Sequence, residues 1–332
     1  MERLDRYFDS TRWAPRAIKF ARSSNYLLKS VNGVSSELGF SMSQGARRTA
    51  FVFAGGGSLG AVQVGMLRAL LSAGARPNFV VGASVGAINA AYYAGAPSAE
   101  DVVKLEQIWC RLRRAEVFPI TLASAFGLLR HPDNIVDPGR LRHLIETHLP
   151  FGRLEEATIP LHVVAADLQG LAVPLSRGNA IEAILASTAI PGVFPTVEIE
   201  GRTLMDGAVA AKSPIRLAAE LGASRIIVLP TGYACALKEP PKGAVAKALH
   251  AITLLIAWGL MRDIEQLPDW IDAHLVPALC PLEVSPFDFS ASRYLIERAA
   301  DSTRKWIERG GLSRRSLSQE LQPHRHDRTS TG

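Results

Sequence analysis

Three features of the sequence predict a three-layer α/β/α fold with a mainly parallel central sheet. From Arg48 onward, short apolar runs alternate with longer amphipathic segments. Strands that are unbroken apolar runs are typical of parallel sheets, because helices cover both faces of such sheets. Hydrophobic residues make up 48% of the 332 residues and charged residues 20%, a composition that excludes global disorder.

The first half of the pattern runs from residue 49 to residue 148. An apolar run at 49–54 predicts a buried strand, and the glycine-rich turn after it leads into a helix at 60–73. A second apolar strand at 79–83 is followed at once by a helix from Val85 to about Ala94, and then by a helix at 101–113. Asp137 offers an N-cap, with Pro138 at the first helical position, for a helix that ends at His148.

The second half continues the alternation with shorter strands. "LHVVAAD" at 161–167 is predicted as a strand, and "RTLMDG" at 202–207 as a short strand and turn. The other predicted elements are helices at 179–187, 214–221, 244–265 and 291–308 and strands at 225–229 and 273–279.

The two ends of the chain differ from its centre. Residues 1–49 are predicted to be a basic, partly helical lead-in, 50–312 a single α/β domain, and 313–332 a polar, disordered tail. The net charge is +6, and the basic residues of the first 29 positions indicate attraction to an anionic membrane surface or another acidic partner. No nucleic-acid recognition motif is present, so nucleic acid is not expected as a partner. The oligomeric state is not predicted.

Cysteine usage and hydropathy indicate whether the protein is disulfide-rich, metal-binding or membrane-spanning. The three cysteines are far apart and odd in number, so neither a disulfide framework nor a metal site is expected, and the apolar context of each predicts a buried, inert thiol. The longest apolar run, 248–261, is shorter than the roughly 20 residues of a spanning helix, and a buried helix is expected there, with lipid-surface contact as the alternative. These features predict a cytoplasmic or peripheral membrane protein.

The stretch "FVFAGGGSLG" (51–60) has the spelling of a dinucleotide-binding loop, with Gly55, Gly57 and Gly60 as G-x-G-x-x-G. A dinucleotide site also needs an acidic residue about 20 positions later to hold the ribose, and no Asp or Glu occurs between Phe51 and Ala99. Successive glycines before a helix still direct backbone N–H groups and the helix dipole toward negative charge. An oxyanion formed during catalysis fits that arrangement as well as a phosphate does.

The stretch "FVVGASVGAINA" (79–90) places Gly82, Ser84 and Gly86 as G-x-S-x-G between a predicted strand and a predicted helix. That spacing is typical of a nucleophilic serine on a sharp turn, where the glycines let strand and helix approach closely. His274 follows in the order of a Ser-acid-His triad, but it lies in a strand-like run. Asp206, followed by Gly207 and Ala208 at the end of a short strand, is the better proton acceptor, and Asp167 is the rival acid.

These pieces together resemble the patatin-like phospholipase family. Its pattern is a glycine-rich oxyanion loop, then G-x-S-x-G, then Asp-Gly-Gly/Ala, and here these are 55–60, 82–86 and 206–208, in that order. "ASTAIPGVFP" (186–195) is similar to the family's Ser-x-Ala-x-Pro-x-x-Phe stretch, and the resemblance spans about residues 48–230.

The resemblance implies a patatin-like fold and a Ser–Asp dyad without histidine, metal or cofactor, acting on acyl esters of lipids. Ser84 would be the nucleophile, Asp206 its base, and the backbone N–H groups of Gly56, Gly57 and Ser58 the oxyanion donors. Two positions depart from the family pattern. Leu59 stands where the family often has a basic residue, and Lys212 where it often has Asn. Lys212 is expected to face solvent or a lipid headgroup, away from Asp206.

The leading functional hypothesis is therefore a serine acyl hydrolase. An acyltransferase that uses the same dyad remains open, since the sequence does not distinguish water from another acceptor. A catalytically inactive lipid-binding or scaffold protein is the alternative from a different class, and a nucleotide-dependent oxidoreductase is the remote one. The segment from Asp101 to Pro150, including "SAFGLLRHP" (124–132), is expected to cover the site and shape an acyl pocket.

Overall fold

The computed structural model describes residues 47–119, 136–313 and 319–326, and these residues form one eight-stranded sheet with helices on both faces. The sheet order is β5-β6-β3-β2-β1-β7-β8, with β4 paired to β3 outside this path. The strands are β1 (Thr49–Phe53), β2 (Phe79–Ala83), β3 (Leu161–Asp167), β4 (Ala172–Leu175), β5 (Val197–Ile199), β6 (Arg202–Asp206), β7 (Arg225–Leu229) and β8 (Asp272–Leu275).

The helices divide between the two faces of the sheet. They are α1 (Gly60–Ser72), α2 (Val85–Gly95), α3 (Ala99–Arg111), α4 (Arg114–Val117), α5 (Gly139–His148), α6 (Ala180–Ser187), α7 (Pro214–Glu220), α8 (Ala244–Glu265) and α9 (Ser292–Glu308). Phe51 and Phe53 of β1 pack in the larger core with α1, α2, α3 and α9, whereas the alternate residues Ala50 and Val52 pack against α7 and α8. The predicted three-layer α/β/α architecture is confirmed.

The central strands β1, β2, β3, β7 and β8 pair in parallel, and β4, β5 and β6 pair antiparallel at one side. The sequence did not predict β4 and β5, because they are only 4 and 3 residues long and β4 contains Pro174, which is tolerated at a sheet edge. The helix predicted from Pro138 begins at Gly139, and the Asp137 carboxylate still accepts a hydrogen bond from the Gly139 N–H (3.3 Å).

The pairing of β3 brings two distant parts of the chain together. One edge of β3 pairs with β4, and its other edge pairs first with β2 and then, beyond the end of β2, with β6. The last pair with β2 joins Val164 to Ala83, and the next residue, Ala165, is opposite Asp206. The residue after Ala83 therefore lies beside the carboxyl end of β6.

The C-terminal part differs from the disordered tail that the sequence predicted. Gln319–Leu321 form a short 3-10 helix, and the Leu321 side chain is buried on the face that α7 and α8 cover. The Tyr233 hydroxyl donates a hydrogen bond to the Gln322 carbonyl (2.7 Å). For residues 319–326 the prediction is wrong, because one apolar side chain and this contact hold them against the domain. The predicted domain boundaries remain predictions, and residues 1–46 of the lead-in lie outside the described part.

Helix α8 contains the apolar run singled out in the sequence. Within the described ranges it is the one helix whose length and composition would allow it to cross a membrane, a test that the core helix of a soluble protein also passes. Of its most apolar window, 44% is buried inside the domain. Its buried side packs on the sheet through residues such as Ala257, Leu260 and Ile264, which agrees with the predicted buried helix on that side.

Candidate active site

Ser84 lies on the sharp turn between β2 and α2. Its backbone adopts φ 54° and ψ −131°, a conformation that residues other than glycine rarely adopt. Such strained conformations cluster at functional sites, where the surrounding structure imposes them. A Cβ at Gly86 would lie 2.3 Å from the Phe53 carbonyl oxygen, and one at Gly82 would lie 2.5 Å from the Gly86 oxygen. The turn therefore depends on both glycines, as the G-x-S-x-G spacing predicted.

Asp206 ends β6 and faces Ser84. The Ser84 hydroxyl donates a hydrogen bond to Asp206 Oδ2 (2.7 Å), and the Ala208 N–H donates to Oδ1 (2.8 Å). Burial raises the pKa of Asp206 from 3.8 to about 7, because an ionised carboxylate loses its hydration there, while the bonds from Ala208 and Ser84 oppose the rise. Gly207 is buried beside Val164. The structure thus brings the predicted Ser84 and Asp206 into direct contact.

Ser187, at the end of α6, supports the Ser84 turn and was not singled out from the sequence. Its buried hydroxyl accepts a hydrogen bond from the Ser84 N–H (3.0 Å) and donates one to the Val164 carbonyl (2.6 Å). Ser187 is the serine of the "ASTAIPGVFP" stretch, so the resemblance contained a signal for it. One hydroxyl thus links the turn, α6 and the end of the β2–β3 pairing.

If Ser84 is the nucleophile, Ser187→Ala should lower kcat by about 10- to 100-fold with a smaller change in KM, because the shifted Ser84 hydroxyl would be misaligned for attack. It also leaves a buried N–H and a buried carbonyl without their partner, which costs about 1–3 kcal/mol of stability. Steady-state kinetics and thermal unfolding measure the two effects separately. Thr303→Val, which removes another buried hydroxyl on α9, is the control. An unchanged kcat in a destabilised Ser187 variant would contradict the positioning role.

The glycine loop lies against both members of the pair. A Cβ on Gly55 would come 2.8 Å from the Ala208 Cβ and 3.1 Å from the Ser84 Cβ. Gly57 adopts a left-handed φ of 59° and lines the same cavity as Ser84. The Ser58 N–H, however, donates to the Pro286 carbonyl (2.9 Å), so the prediction that it faces an oxyanion is wrong for this structure. Gly56 and Gly57 remain the candidate donors.

The residues around the last glycine are structural. The Leu59 side chain, at the position where a basic residue was the expectation from the family pattern, is fully buried in the larger core. Gly60 begins α1, and a Cβ there would lie 2.5 Å from a Val85 methyl group and 3.0 Å from the Trp109 ring. Close packing of the loop on α2 and α3 thus explains why an apolar residue stands at 59 and a glycine at 60.

The rival candidates have other partners. Asp167 Oδ1 accepts hydrogen bonds from the N–H groups of Gln169 (3.0 Å) and Leu171 (2.8 Å), so this carboxylate shapes the β3–β4 turn. His274 is buried in β8, with Nδ1 3.0 Å from the Gly311 oxygen and Nε2 2.7 Å from Asp272 Oδ1. Lys212 is exposed and pairs with Glu220 (2.8 Å), as expected of a residue directed away from Asp206.

An apolar cavity opens beside Ser84. Its lining includes Ile88, Leu105, Trp109, Phe118, Ile145 and Phe194, together with Gly57 and Ser84. Leu105, Trp109, Phe118 and Ile145 belong to the segment that was expected to shape an acyl pocket, whereas 124–132 lies outside the described residues. The cavity offers a long apolar group a place next to the serine hydroxyl. Four potential metal ligands, Cys235, Cys280, His324 and His326, form a separate cluster.

Comparison with known proteins gives consistent matches. A family model described as patatin-like phospholipase matches residues 51–219. The chain is 31% identical over 183 residues to an uncharacterized NTE family protein of Mycobacterium tuberculosis, covering 55% of this chain and 48% of that protein. It is 25% identical over 186 residues to human patatin-like phospholipase domain-containing protein 6, covering 55% of this chain and 13% of that protein. It is 24% identical over 184 residues to a putative patatin-like phospholipase domain-containing protein of Caenorhabditis elegans, covering 54% of this chain and 16% of that protein. The chain therefore matches less than half the length of each of these relatives.

Solved structures that match the chain include VipD from Legionella pneumophila and the type III effector ExoU. VipD has a TM-score of 0.37 and 14% identity, over 79% of this chain and 67% of that one. ExoU has a TM-score of 0.34 and 15% identity, over 80% of this chain and 54% of that one.

Proposed function

Because the chain belongs to the patatin-like phospholipase family, we propose that it hydrolyses acyl esters of lipids through a dyad of Ser84 and Asp206. The observation that supports this most directly is the 2.7 Å hydrogen bond from the Ser84 hydroxyl to a buried carboxylate. The apolar cavity beside Ser84 supports an acyl chain as the bound group.

In the proposed reaction, ionised Asp206 accepts the Ser84 proton while Ser84 Oγ attacks the ester carbonyl. The carbonyl oxygen becomes an oxyanion, and the N–H groups of Gly56 and Gly57 stabilise it, each being worth about 3–4 kcal/mol of barrier in comparable sites. The C–O bond to the alcohol then breaks, and Asp206 gives its proton to the leaving alcohol, so that the carboxylate is ionised again. Water attacks the acyl-serine ester and gives a proton to Asp206, which returns it to Ser84 as the fatty acid leaves.

The proposal is tested by labelling the full chain with a fluorophosphonate and identifying the modified peptide by mass spectrometry. We expect one modified site, Ser84, and release of fatty acid from a phospholipid with acyl chains, with none from its dialkyl ether analogue. Adding an alcohol acceptor distinguishes transfer from hydrolysis, since a new ester would accumulate in place of free acid. Absence of both labelling and hydrolysis would favour the non-catalytic lipid-binding function.

We also propose that one face of α8 contacts the lipid surface. Leu255 and Trp258 lie three positions apart on this helix and are 61% and 45% exposed. They line a groove together with Gly55, Gly207 and Ala208, which are neighbours of Ser84 and Asp206 in the structure or in the chain. Exposed aromatic and aliphatic side chains on a helix face are typical of binding at the membrane interface.

The variant Leu255→Ser/Trp258→Ser is expected to lower activity on phospholipid vesicles by about 10-fold or more, because it removes apolar area from the bilayer contact. Activity on a soluble short-chain ester should stay close to wild type. Trp270→Ser is the matched control: Trp270 is 67% exposed but precedes β8, at the opposite edge of the sheet from Ser84. Equal losses on both substrates would contradict the surface role.

A further inference from the structure

Four side chains from three segments converge at the carboxyl edge of the sheet. Cys235 follows β7 and Cys280 follows β8, and these neighbouring strands are parallel, so the loops after them meet. His324 and His326 come from the C-terminal segment that packs against the same region. One ligand atom from each of the four side chains lies within 4.8 Å of the others.

Hydrogen bonds cannot satisfy all the close contacts within the cluster, whereas one central ion would. Cys280 Sγ lies 3.2 Å from His324 Nε2 and 3.4 Å from His326 Nε2, and the two nitrogens are 3.0 Å apart. A ring nitrogen has one N–H or one lone pair, so it satisfies one of its two neighbours at most. Around tetrahedral zinc, two nitrogens are about 3.3 Å apart and a nitrogen and a sulfur about 3.6 Å apart.

The surroundings of His324 orient it as a ligand. Its Nδ1 lies 2.8 Å from the Gln322 carbonyl oxygen and 3.1 Å from the Tyr233 hydroxyl, and because a carbonyl oxygen only accepts, a hydrogen bond to Gln322 requires the proton on Nδ1. The Nε2 lone pair is then directed toward Cys280 and His326. Histidines that bind metals commonly donate their second ring N–H to a backbone carbonyl in this way.

The cysteine loops are fixed to each other. The Leu282 N–H donates to Cys235 Sγ (3.3 Å), and the Ala236 N–H donates to the Leu282 carbonyl (3.0 Å). Both sulfur ligands are therefore presented by loops that are already paired.

We propose that Cys235, Cys280, His324 and His326 bind one structural Zn²⁺ ion. Two thiolates and two neutral imidazoles are a complete tetrahedral ligand set for zinc, and sulfur and nitrogen donors disfavour Mg²⁺ and Ca²⁺. Binding releases the two thiol protons, and the two thiolate charges balance the ion. Four protein ligands leave no open position for a reacting water, so the ion fastens the C-terminal segment to the two loops.

Both loops also support the glycine loop beside Ser84. Thr231, four residues before Cys235, donates from its hydroxyl to the Gly55 carbonyl (2.6 Å). Pro286, six residues after Cys280, accepts the Ser58 N–H (2.9 Å). By fixing the two loops, bound zinc stabilises the hydrogen bonds that Thr231 and Pro286 make to the glycine loop.

Metal analysis of the full chain, purified without chelators from zinc-supplemented cells, tests the site. We expect one zinc per chain in the wild type and in the controls Cys110→Ser and His143→Ala, which change a free cysteine of α3 and an exposed histidine of α5. Cys280→Ser and the double variant His324→Ala/His326→Ala should lose it. Wild-type chain without zinc, with another metal in its place, or with a Cys235–Cys280 disulfide would overturn the proposal.

Cobalt substitution and amide exchange do not require the variants to fold. Adding Co²⁺ to the chelated wild type should produce the visible bands of tetrahedral cobalt and a thiolate-to-cobalt charge-transfer band in the near ultraviolet. Residues 321–326 should exchange amide hydrogens faster after chelation and recover protection when zinc is returned. An octahedral cobalt spectrum, or exchange at 321–326 that does not respond to metal, would contradict the site.

Discussion

Ser84→Ala is expected to lower kcat/KM for acyl esters by about 10⁴-fold or more, because in the proposed reaction the Ser84 oxygen forms the covalent intermediate. The substitution retains the Cβ and the backbone of a turn whose φ of 54° the surrounding structure imposes. It also removes one of the two hydrogen bonds to Asp206, and since that bond opposes the burial effect, the pKa of Asp206 should rise further above its value of about 7. The folded structure itself should persist.

Initial rates on a monomeric ester measure the loss, and fluorophosphonate labelling should disappear with it. Ser72→Ala is the matched control, since Ser72 is an exposed serine at the end of α1 whose hydroxyl donates to the Arg68 carbonyl. Thermal unfolding of both variants separates a chemical loss from a folding defect. A folded Ser84→Ala variant that keeps about a tenth of the wild-type rate would mean that another residue performs the attack.

Local sequence was sufficient to predict the turn that holds Ser84 and the strand that ends at Asp206. G-x-S-x-G between a strand and a helix specifies its own geometry, because only glycine fits where a Cβ at Gly86 would meet the Phe53 carbonyl. Alternation of apolar runs and helices likewise predicted the layers, since parallel strands must be covered on both faces.

Contacts between distant segments were not predictable in the same way. The Ser58 N–H could not be assigned to the Pro286 carbonyl, because nothing near either residue specifies how the loop after β8 returns to the glycine loop. The separation of Cys235 and Cys280 in sequence predicts no metal site, whereas adjacency of β7 and β8 decides their separation in space. Composition alone predicts a disordered tail around the "HRH" triplet, although Leu321 just before it is buried.

Asp206→Asn is expected to lower kcat by about 10³-fold, because an amide cannot accept the Ser84 proton. In the wild type, only ionised Asp206 is a base, so log(kcat/KM) should rise with pH and level off above the pKa of about 7. The residual activity of the variant should lack this acidic limb. A pH–rate profile of both proteins on the same soluble ester checks the assignment, and a wild-type limb near pH 4 would contradict it.

The same substitution is expected to stabilise the fold at alkaline pH. The Asp206 pKa is about 7 in the folded chain and has its ordinary value of 3.8 when unfolded. Between these pH values the folded state binds more protons than the unfolded state, so the free energy of unfolding falls as the pH rises, and it stays constant above about pH 7. The full deficit is on the order of 4 kcal/mol, and it reflects the free energy of holding a carboxylate ready as a base in a buried site.

Asparagine removes that deficit and keeps both contacts, since its oxygen accepts from the Ala208 N–H and its amide donates to Ser84 Oγ. The stability gained by Asp206→Asn should therefore be about 2–3 kcal/mol larger at pH 8 than at pH 5. Denaturant unfolding at the two pH values measures it, with Asp269→Asn, at an exposed aspartate in the turn before β8, as the control for losing a carboxylate. Because the proposed reaction uses the same carboxylate that costs stability, a gain that did not grow with pH would argue against a buried base at this position.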